Sequence, residues 1–569
     1  MDLMYAVYFM LGALIFCGAR VYKRGEWNGE NTSLGQTKIL QGIAALGVAL
    51  HHIAQKSCGP WHPSQYIVHG LDVFAPVGFL FVAVFMFGSG LGLYRSVKSK
   101  PGYLDGFIRR RIVPIVIAFY LSEIIYLIVR WAMGEKLDAL TVLWYLSGLH
   151  MANFNAWYPI VIVFFYAAFY LAFKKCRFDG TAIACVAGFT LAYTVLCALI
   201  DHQNEWWFRG EWWYSSIVMF PLGLLFGRYE SGITARLKKG YPFWLILSFA
   251  AMAGFYLFSD FVAPNLWGYY GETWHDPLKV PHRLLTALSQ WLACIGFVGF
   301  ITILTMKVRF GNGVLKLLGG VTLEFYLMHG IFVELFGFNF LDFAPSLYYI
   351  RNVPMYTAAV LICSIPATAL FRTLWKSALK LPDRFRGRGD NGGSGEKERT
   401  GKRKKHLRAF LVPGIAVLSL AVLYVVMGQG QSLKGREISG MLVDPPEGYT
   451  CTYADSRYAV WKNTSSPLRA GTLVLDAEIK DLNAQRLTTA EDVIRECGWL
   501  SGASVYTNPH GVRMAEGWCM EEEGSRDMRY YVESRGAVFL MSMLVNERYH
   551  DADDCARAIR LAADSVRPK

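Results

Sequence analysis

The strongest constraint on this chain is a series of apolar runs, near residues 4–19, 39–55, 72–95, 112–131, 157–173, 181–200, 214–227, 242–259, 286–305, 317–337, 355–371 and 409–427. Most are long enough to cross a hydrocarbon layer of about 30 Å as a helix. Inside lipid, backbone N–H and C=O groups find no water, so such runs must close their hydrogen bonds locally. Of the 569 residues, 54% are hydrophobic and only 18% charged. We therefore expect an all-α polytopic membrane bundle of about twelve transmembrane helices. The first run, "MYAVYFMLGALIFCG", has no basic region before it and no small-residue cleavage site after it, so it is expected to stay as a helix.

The net charge of +13 would suit nucleic acid if it were clustered on a soluble face. Instead it sorts by loop. The alternate loops around 20–38, 95–111, 174–177, 228–239, 307–316 and 372–408 hold 33 Lys and Arg, and the five opposite loops hold 7. Basic residues accumulate on the cytoplasmic side of membrane proteins, which predicts an outside N-terminus and a cytoplasmic 372–408 segment. No nucleic-acid partner is expected, and the chain is assigned to the plasma membrane as a multi-pass protein.

The expected domains are a membrane body at 1–372, a basic cytoplasmic linker at 373–408, a further span at 409–427 and an extracytoplasmic domain at 431–569. The linker reading comes from "RFRGRGDNGGSGEKERTGKRKKHLR" (384–408), rich in Gly and charge without apolar periodicity. In the last part, "GTLVLDAEI" and "RYYVESRGAVFLMSMLV" alternate as strands do, whereas "TAEDVIRECGWL" and "DADDCARAIRLAADSV" have helical spacing. This predicts a small soluble α+β domain. Thr489 ahead of Glu491 and Asp492, and the acidic 551–554 run, are helix-start signals. Its four cysteines, Cys451, Cys497, Cys519 and Cys555, are expected to face a non-reducing space, where two disulfides with any of three pairings could form. The domain contains no nucleophile elbow, metal-ligand spacing or phosphate loop. Of two Asn-x-Ser sequons, at Asn31 and Asn463, the first falls on the expected cytoplasmic side, where it would be silent.

Chemistry is concentrated in "ILQGIAALGVALHH" (39–52), a lipid-compatible segment that ends on two titratable side chains. Imidazole exchanges a proton near neutral pH, so His in a membrane segment points to proton movement or ligand binding. Gln41 and His52 are eleven residues apart, about three turns and roughly 16 Å, and Lys38 shares their helix face. His51 is turned about 100° away. Further intramembrane groups are Glu123 in "LSEIIYLIV", expected to orient His52 if their helices meet, and Glu324 and His329, whose spacing of five is poor for direct pairing. The aromatic loop "NEWWFRGEWWYSS" (204–216) is expected at the head-group belt, with a sugar-stacking platform as the functional alternative.

Four stretches, taken together and in order, resemble the acyltransferase-3 family of integral membrane acyltransferases over about residues 35–372. They are the second span with a His eleven positions after a key residue, "VGFLFVAVFMFGSGLGLYRS" (77–96), "YLDGFIRRRIVPI" (103–115) and "LGGVTLEFYLMHG" (318–330). Where the family usually has Arg, this chain has Gln41, with Lys38 as the substitute basic group. The resemblance implies transfer of an acyl group, usually acetyl from acetyl-CoA, to a hydroxyl of an extracytoplasmic glycan or similar acceptor, with the acyl-CoA as a substrate and no permanently bound cofactor. It places His52, His329 and Glu324 as catalytic residues, His52 as the base and His51 as its fallback. Lys38, Gln41, Arg109, Arg110 and Arg111 would meet the polyanionic donor, for which guanidinium forks are suited. No metal is expected. Competing readings are a transporter or glycan-export component, which the same hydropathy permits, and a membrane sensor read out through its tail.

Overall fold

The computed structural model describes residues 3–59, 62, 67–132, 137, 139–147, 150–200, 210–265, 278–340, 344–345, 348–386, 436–438, 440–454, 458–463, 471–476, 487–522, 525–546 and 550–569. Helices fill eleven of the twelve expected spans: α1 (Leu3–Phe16), α2 (Leu34–Cys58), α3 (Gly78–Ser99), α4 (Val113–Ala132), α6 (Trp157–Lys175), α7 (Asp179–Leu199), α8 (Met219–Lys239), α9 (Tyr241–Asn265), α10 (Lys279–Leu304), the pair α11 (Gly313–Gly319) and α12 (Thr322–Phe336), and α13 (Val353–Arg386). The segment 409–427 lies outside the described residues. A further short helix, α5 (Ala139–Ser147), has only nine residues and gave no span signal. Among the described residues, seven helices are long and apolar enough to cross a membrane, or eight if α11 and α12 form one span. The protein is thus a helical multi-pass membrane protein, and the full count of twelve crossings is not reached among the described residues.

Two departures from expectation have local causes. The run at 317–337 is broken by a 91° bend between α11 and α12, where Gly319 and Gly320 end the first helix and Val321 precedes the second. Helix α13 continues to Arg386, past the start at residue 373 expected for the linker; residues 387–408 lie outside the described residues. At 34 residues, α13 spans about 51 Å, more than lipid alone requires.

The α2–α11 seam is unusually close. A Cβ at Gly42 would stand 2.5 Å from the Leu315 carbonyl oxygen, and one at Gly319 would stand 1.8 Å from that of Lys38. Only glycine lets these backbones touch, and in lipid such small-residue contacts are what hold helices together. Gly319→Ala should therefore destabilise the protein by about 1–3 kcal/mol or more, read as a lowered Tm and loss of the monodisperse peak in detergent.

The basic loops meet at one end of the bundle. Arg95, at the end of α3, binds Thr32 Oγ1 at 2.6 Å and Glu230 Oε2 at 3.1 Å, and Lys98 binds Asp179 at 2.6 Å. There β1 (Arg20–Val21) pairs with β2 (Val308–Arg309), and Arg309 reaches Glu30 at 2.8 Å. Lys38 belongs to this end of α2 and His52 to the other. At the His52 end, Ile53 and Cys58 of α2 pack with Val333 and Phe336 of α12 and with Ile350, Val353 and Tyr356. A short hairpin, β3 (Asn339–Phe340) and β4 (Ala344–Pro345), follows α12 there.

The C-terminal region forms an antiparallel seven-stranded sheet. Its strands are β7 (Tyr449–Ala454), β8 (Tyr458–Asn463), β9 (Thr472–Asp476), β10 (Ser501–Thr507), β11 (Arg513–Glu522), β12 (Ser525–Ser534) and β13 (Ala537–Asn546), ordered β10-β11-β12-β13-β9-β8-β7. A smaller sheet joins β5 (Arg436–Ile438), β6 (Met441–Val443) and β14 (Arg567–Pro568). The β12–β13 turn is Arg535-Gly536, both at positive φ, as two-residue hairpins demand. Alternation along β13 sends Phe539, Met541, Met543 and Val545 to one face, under α15 (Ala552–Ser565), and Val538 and Leu540 to the other, under α14 (Ala490–Glu496). Thr489 caps α14 through a capping box with Asp492, and Asp551 caps α15.

The two-disulfide expectation is corrected. Cys497 is a buried free thiol packed among Val493, Leu500, Ala515 and Tyr531, which leaves no room for two bridges among four cysteines. Cys555 lies on the opposite face of the sheet, accepts the Gly471 N–H at 3.1 Å, and has its thiol pushed up to about 11 by burial. These cysteines serve as small apolar core residues. The side chain of Cys451 lies outside the described residues.

Candidate active site

Two of the residues singled out by sequence, 277 positions apart, meet in the core of the bundle. His52 Nδ1 lies 2.9 Å from His329 Nε2, with the rings within 5° of parallel, and both side chains are buried. His329 Nδ1 lies 2.9 Å from the Phe325 carbonyl oxygen, one helical turn back on α12. For the two rings in their neutral form, these contacts determine the tautomers. A carbonyl only accepts, so His329 must carry its proton on Nδ1 and present a lone pair at Nε2. His52 must then donate from Nδ1, which leaves the lone pair of His52 on Nε2. Among the described residues no side chain hydrogen-bonds to that nitrogen, so the relay ends on a basic atom.

His51 does not join the relay. Its Nδ1 donates to the Phe74 carbonyl at 3.0 Å, and its ring lies against Gly78, where a Cβ would come within 2.3 Å of the imidazole. The residue turns toward the start of α3, as the 100° step along α2 requires.

One turn farther along the same two helices, Lys56 and Glu334 form a buried ion pair at 3.0 Å. Sequence reasoning missed it, although Glu334 is an intramembrane carboxylate of the same kind as Glu324. Glu123, in contrast, does not orient His52. It is fully buried and accepts the backbone N–H groups of Ala152 at 2.6 Å and Asn153 at 3.3 Å, near the Arg130 guanidinium that binds the Ala152 carbonyl. Asn153 in turn reaches α12, its Nδ2 donating to the Leu327 carbonyl at 3.2 Å. Gly330, next to His329, lets two further polar groups come close: a Cβ there would lie 2.5 Å from the Tyr126 hydroxyl and 2.7 Å from Asn155 Nδ2. The buried hydroxyls of Tyr126 and Tyr326 have no hydrogen-bond partner among the described residues.

Glu324 is separate from the histidine pair. It sits 3.5 Å from Arg372 Nε, and Lys38 and Lys376 are within electrostatic reach of it. Glu324 is thus a buried carboxylate paired with Arg372 at the basic end of the bundle. Gln41 faces α3, its Nε2 3.0 Å from where a Gly88 Cβ would be. Arg109, Arg110 and Arg111 form one exposed π-helical turn, Ile108–Ile112. Arg110 donates to the Tyr103 carbonyl at 2.8 Å and Arg111 to the Tyr103 hydroxyl at 3.0 Å, so these two share an anchor despite adjacent positions.

The aromatic loop is corrected. Residues 204–209 lie outside the described set, but Trp213 and Tyr214 are fully buried rather than at an interface. Trp213 packs near Trp157, and Trp291 Nε1 donates to the Tyr214 carbonyl at 2.9 Å, so this segment is folded into the core.

The fold and site together are a multi-pass helical body with a buried, hydrogen-bonded histidine pair at its centre. The acyltransferase domain family model matches residues 37–372, more than half of the chain, and the protein belongs to that family. It is an acyltransferase of the membrane. No curated protein and no solved structure matches the chain.

Proposed function

We propose that this protein transfers an acyl group, acetyl foremost, from a cytoplasmic acyl-CoA to a hydroxyl of an extracytoplasmic glycan or other cell-envelope acceptor. The observation that carries this reading is the Phe325–His329–His52 relay, which leaves the lone pair on His52 Nε2. In the proposed reaction that nitrogen takes the acceptor hydroxyl proton as its oxygen attacks the thioester carbonyl. Collapse of the tetrahedral adduct breaks the C–S bond, and the imidazolium returns the proton to the departing thiolate, giving ester and free thiol. General-base assistance of this kind contributes about 10²–10⁴-fold. His329 accepts the His52 Nδ1–H and thereby favours the charge that develops on His52.

The sidedness of the loops supports the direction of transfer. Lys38, Arg372 and Lys376 stand with the basic loops, where a polyanionic donor would be held, and His52 stands toward the opposite end. Arg109–Arg111 would add phosphate contacts at the same boundary. The glycan-export reading rests on hydropathy alone; among the described residues only one span is broken, whereas paired broken helices mark transporter sites.

The test is mass analysis of envelope polysaccharide from cells with and without the protein, with purified protein incubated with labelled acetyl-CoA. A lost acetyl mass and label transfer to glycan are expected. Unchanged decoration with altered glycan export would favour the transporter.

A further inference from the structure

On the face of the C-terminal sheet that α14 covers at Val538 and Leu540, a neighbouring patch of Val460, Val474 and Leu544 packs against neither of the domain's helices among the described residues. It is covered by the loop after α12: Phe338, 3% exposed, is buried among these three side chains with Tyr349 beside it. Phe338 also meets the edge of the His62 ring, centroids 5.8 Å apart at 75°. His62 Nε2 in turn donates to the Gln55 carbonyl at 2.7 Å. Gln55 lies in the last turn of α2, three residues after His52, where helix carbonyls lack intrahelical donors. Gly337 brings the same loop against α2 again, since a Cβ there would lie 3.3 Å from Lys56 Cβ.

We infer that the C-terminal domain is seated on the membrane body through Phe338, and that this seat, acting through His62, holds the end of the helix that carries His52. Phe338 and His62 are positioning residues; neither touches His52. The docking half of this inference is independent of the acyl-transfer reading, and its catalytic half rests on that reading.

The course of the chain agrees with the seat. Helix α13 starts beside α2 at the His52 end, where Val353 and Tyr356 pack with Ile53, and runs to Arg372, beside Glu324 at the basic end. In sequence, the apolar run at 409–427 has the length that a return crossing needs.

The test uses the full-length protein in detergent, with benzoylphenylalanine replacing Tyr349 as a photo-crosslinker and hydrogen exchange read on peptides covering residues 50–62. Cross-linking is expected to capture peptides from β8, β9 or β13. Phe338→Asp should lower the cross-link yield about tenfold and speed exchange of the 53–58 amides by about tenfold, as expected when a packed helix end loosens. Leu561→Asp, an exposed site on α15, should change neither. His62→Ala should keep the cross-link yet speed exchange. Acyl transfer should fall with Phe338→Asp and be near normal in Phe338→Leu. Cross-links to other segments, an undiminished yield in Phe338→Asp, or a released domain with unchanged 53–58 exchange would overturn the inference. Intact cross-linking and exchange behaviour in a protein that transfers no acyl group would instead remove the catalytic reading alone.

Discussion

His52→Ala is expected to abolish most acyl transfer, by about 10²-fold or more, while leaving the protein inserted and monodisperse. The lost group is the only member of the relay with its lone pair unengaged by a described side chain. His51→Ala should cost far less, because its ring is committed to the Phe74 carbonyl. His329 supplies the finer discrimination. His329→Ala leaves His52 Nδ1 with no acceptor and removes the preference for the productive tautomer. His329→Gln can still accept through its amide oxygen, so it should retain more activity than His329→Ala. Assays of purified variants with labelled acetyl-CoA decide this: near-normal transfer by His52→Ala, at equal expression, would refute the assignment and move attention to His329.

The second large effect concerns stability. Glu334→Ala leaves the Lys56 ammonium buried one turn beyond the histidines without its carboxylate, and breaking a buried ion pair costs about 3–5 kcal/mol. A steep fall in Tm and in recovered folded protein should follow. The double variant Lys56→Met, Glu334→Leu removes both charges at similar volume and should recover most of that loss, since desolvation of a buried pair cancels much of its attraction. A single variant as stable as the parent would mean that water reaches the pair. If the double variant folds as well as the parent but transfers acyl groups poorly, the pair serves the reaction rather than the fold.

The bundle was legible from hydropathy because lipid leaves the backbone no alternative to helix, and the C-terminal α+β domain because short β-rich runs lie between segments of helical spacing. His52 and His329 were each legible as titratable groups in apolar helices. Their pairing was not, since no spacing rule reaches across 277 residues. The same limit explains Glu123: its helix was identified, but its partners are backbone amides of a loop, which carry no sequence signature. The buried Trp213 and Tyr214 were misread because an aromatic-rich loop has the same composition whether it lies at a head-group surface or folds inward. The bend between α11 and α12 was written in the Gly319-Gly320 pair, yet glycine pairs also occur in unbroken membrane helices, where neighbours restore the backbone hydrogen bonds. Glu334 was within reach, and the reasoning applied to Glu324, nearly three turns earlier on the same helix, would have flagged it.

The glycine seam between α2 and α11 bears on how such a centre can be cycled. With the Lys38 carbonyl occupying the space where residue 319 would place a side chain, a slide of one helix past the other would drive a larger residue into backbone. His52, the base of the proposed reaction, is thereby kept stationary relative to the helix break, like a tool clamped to a bench. If the proposed transfer runs between substrates from opposite sides of the membrane, the travel falls to the substrates themselves, and turnover should survive a covalent staple placed across this seam.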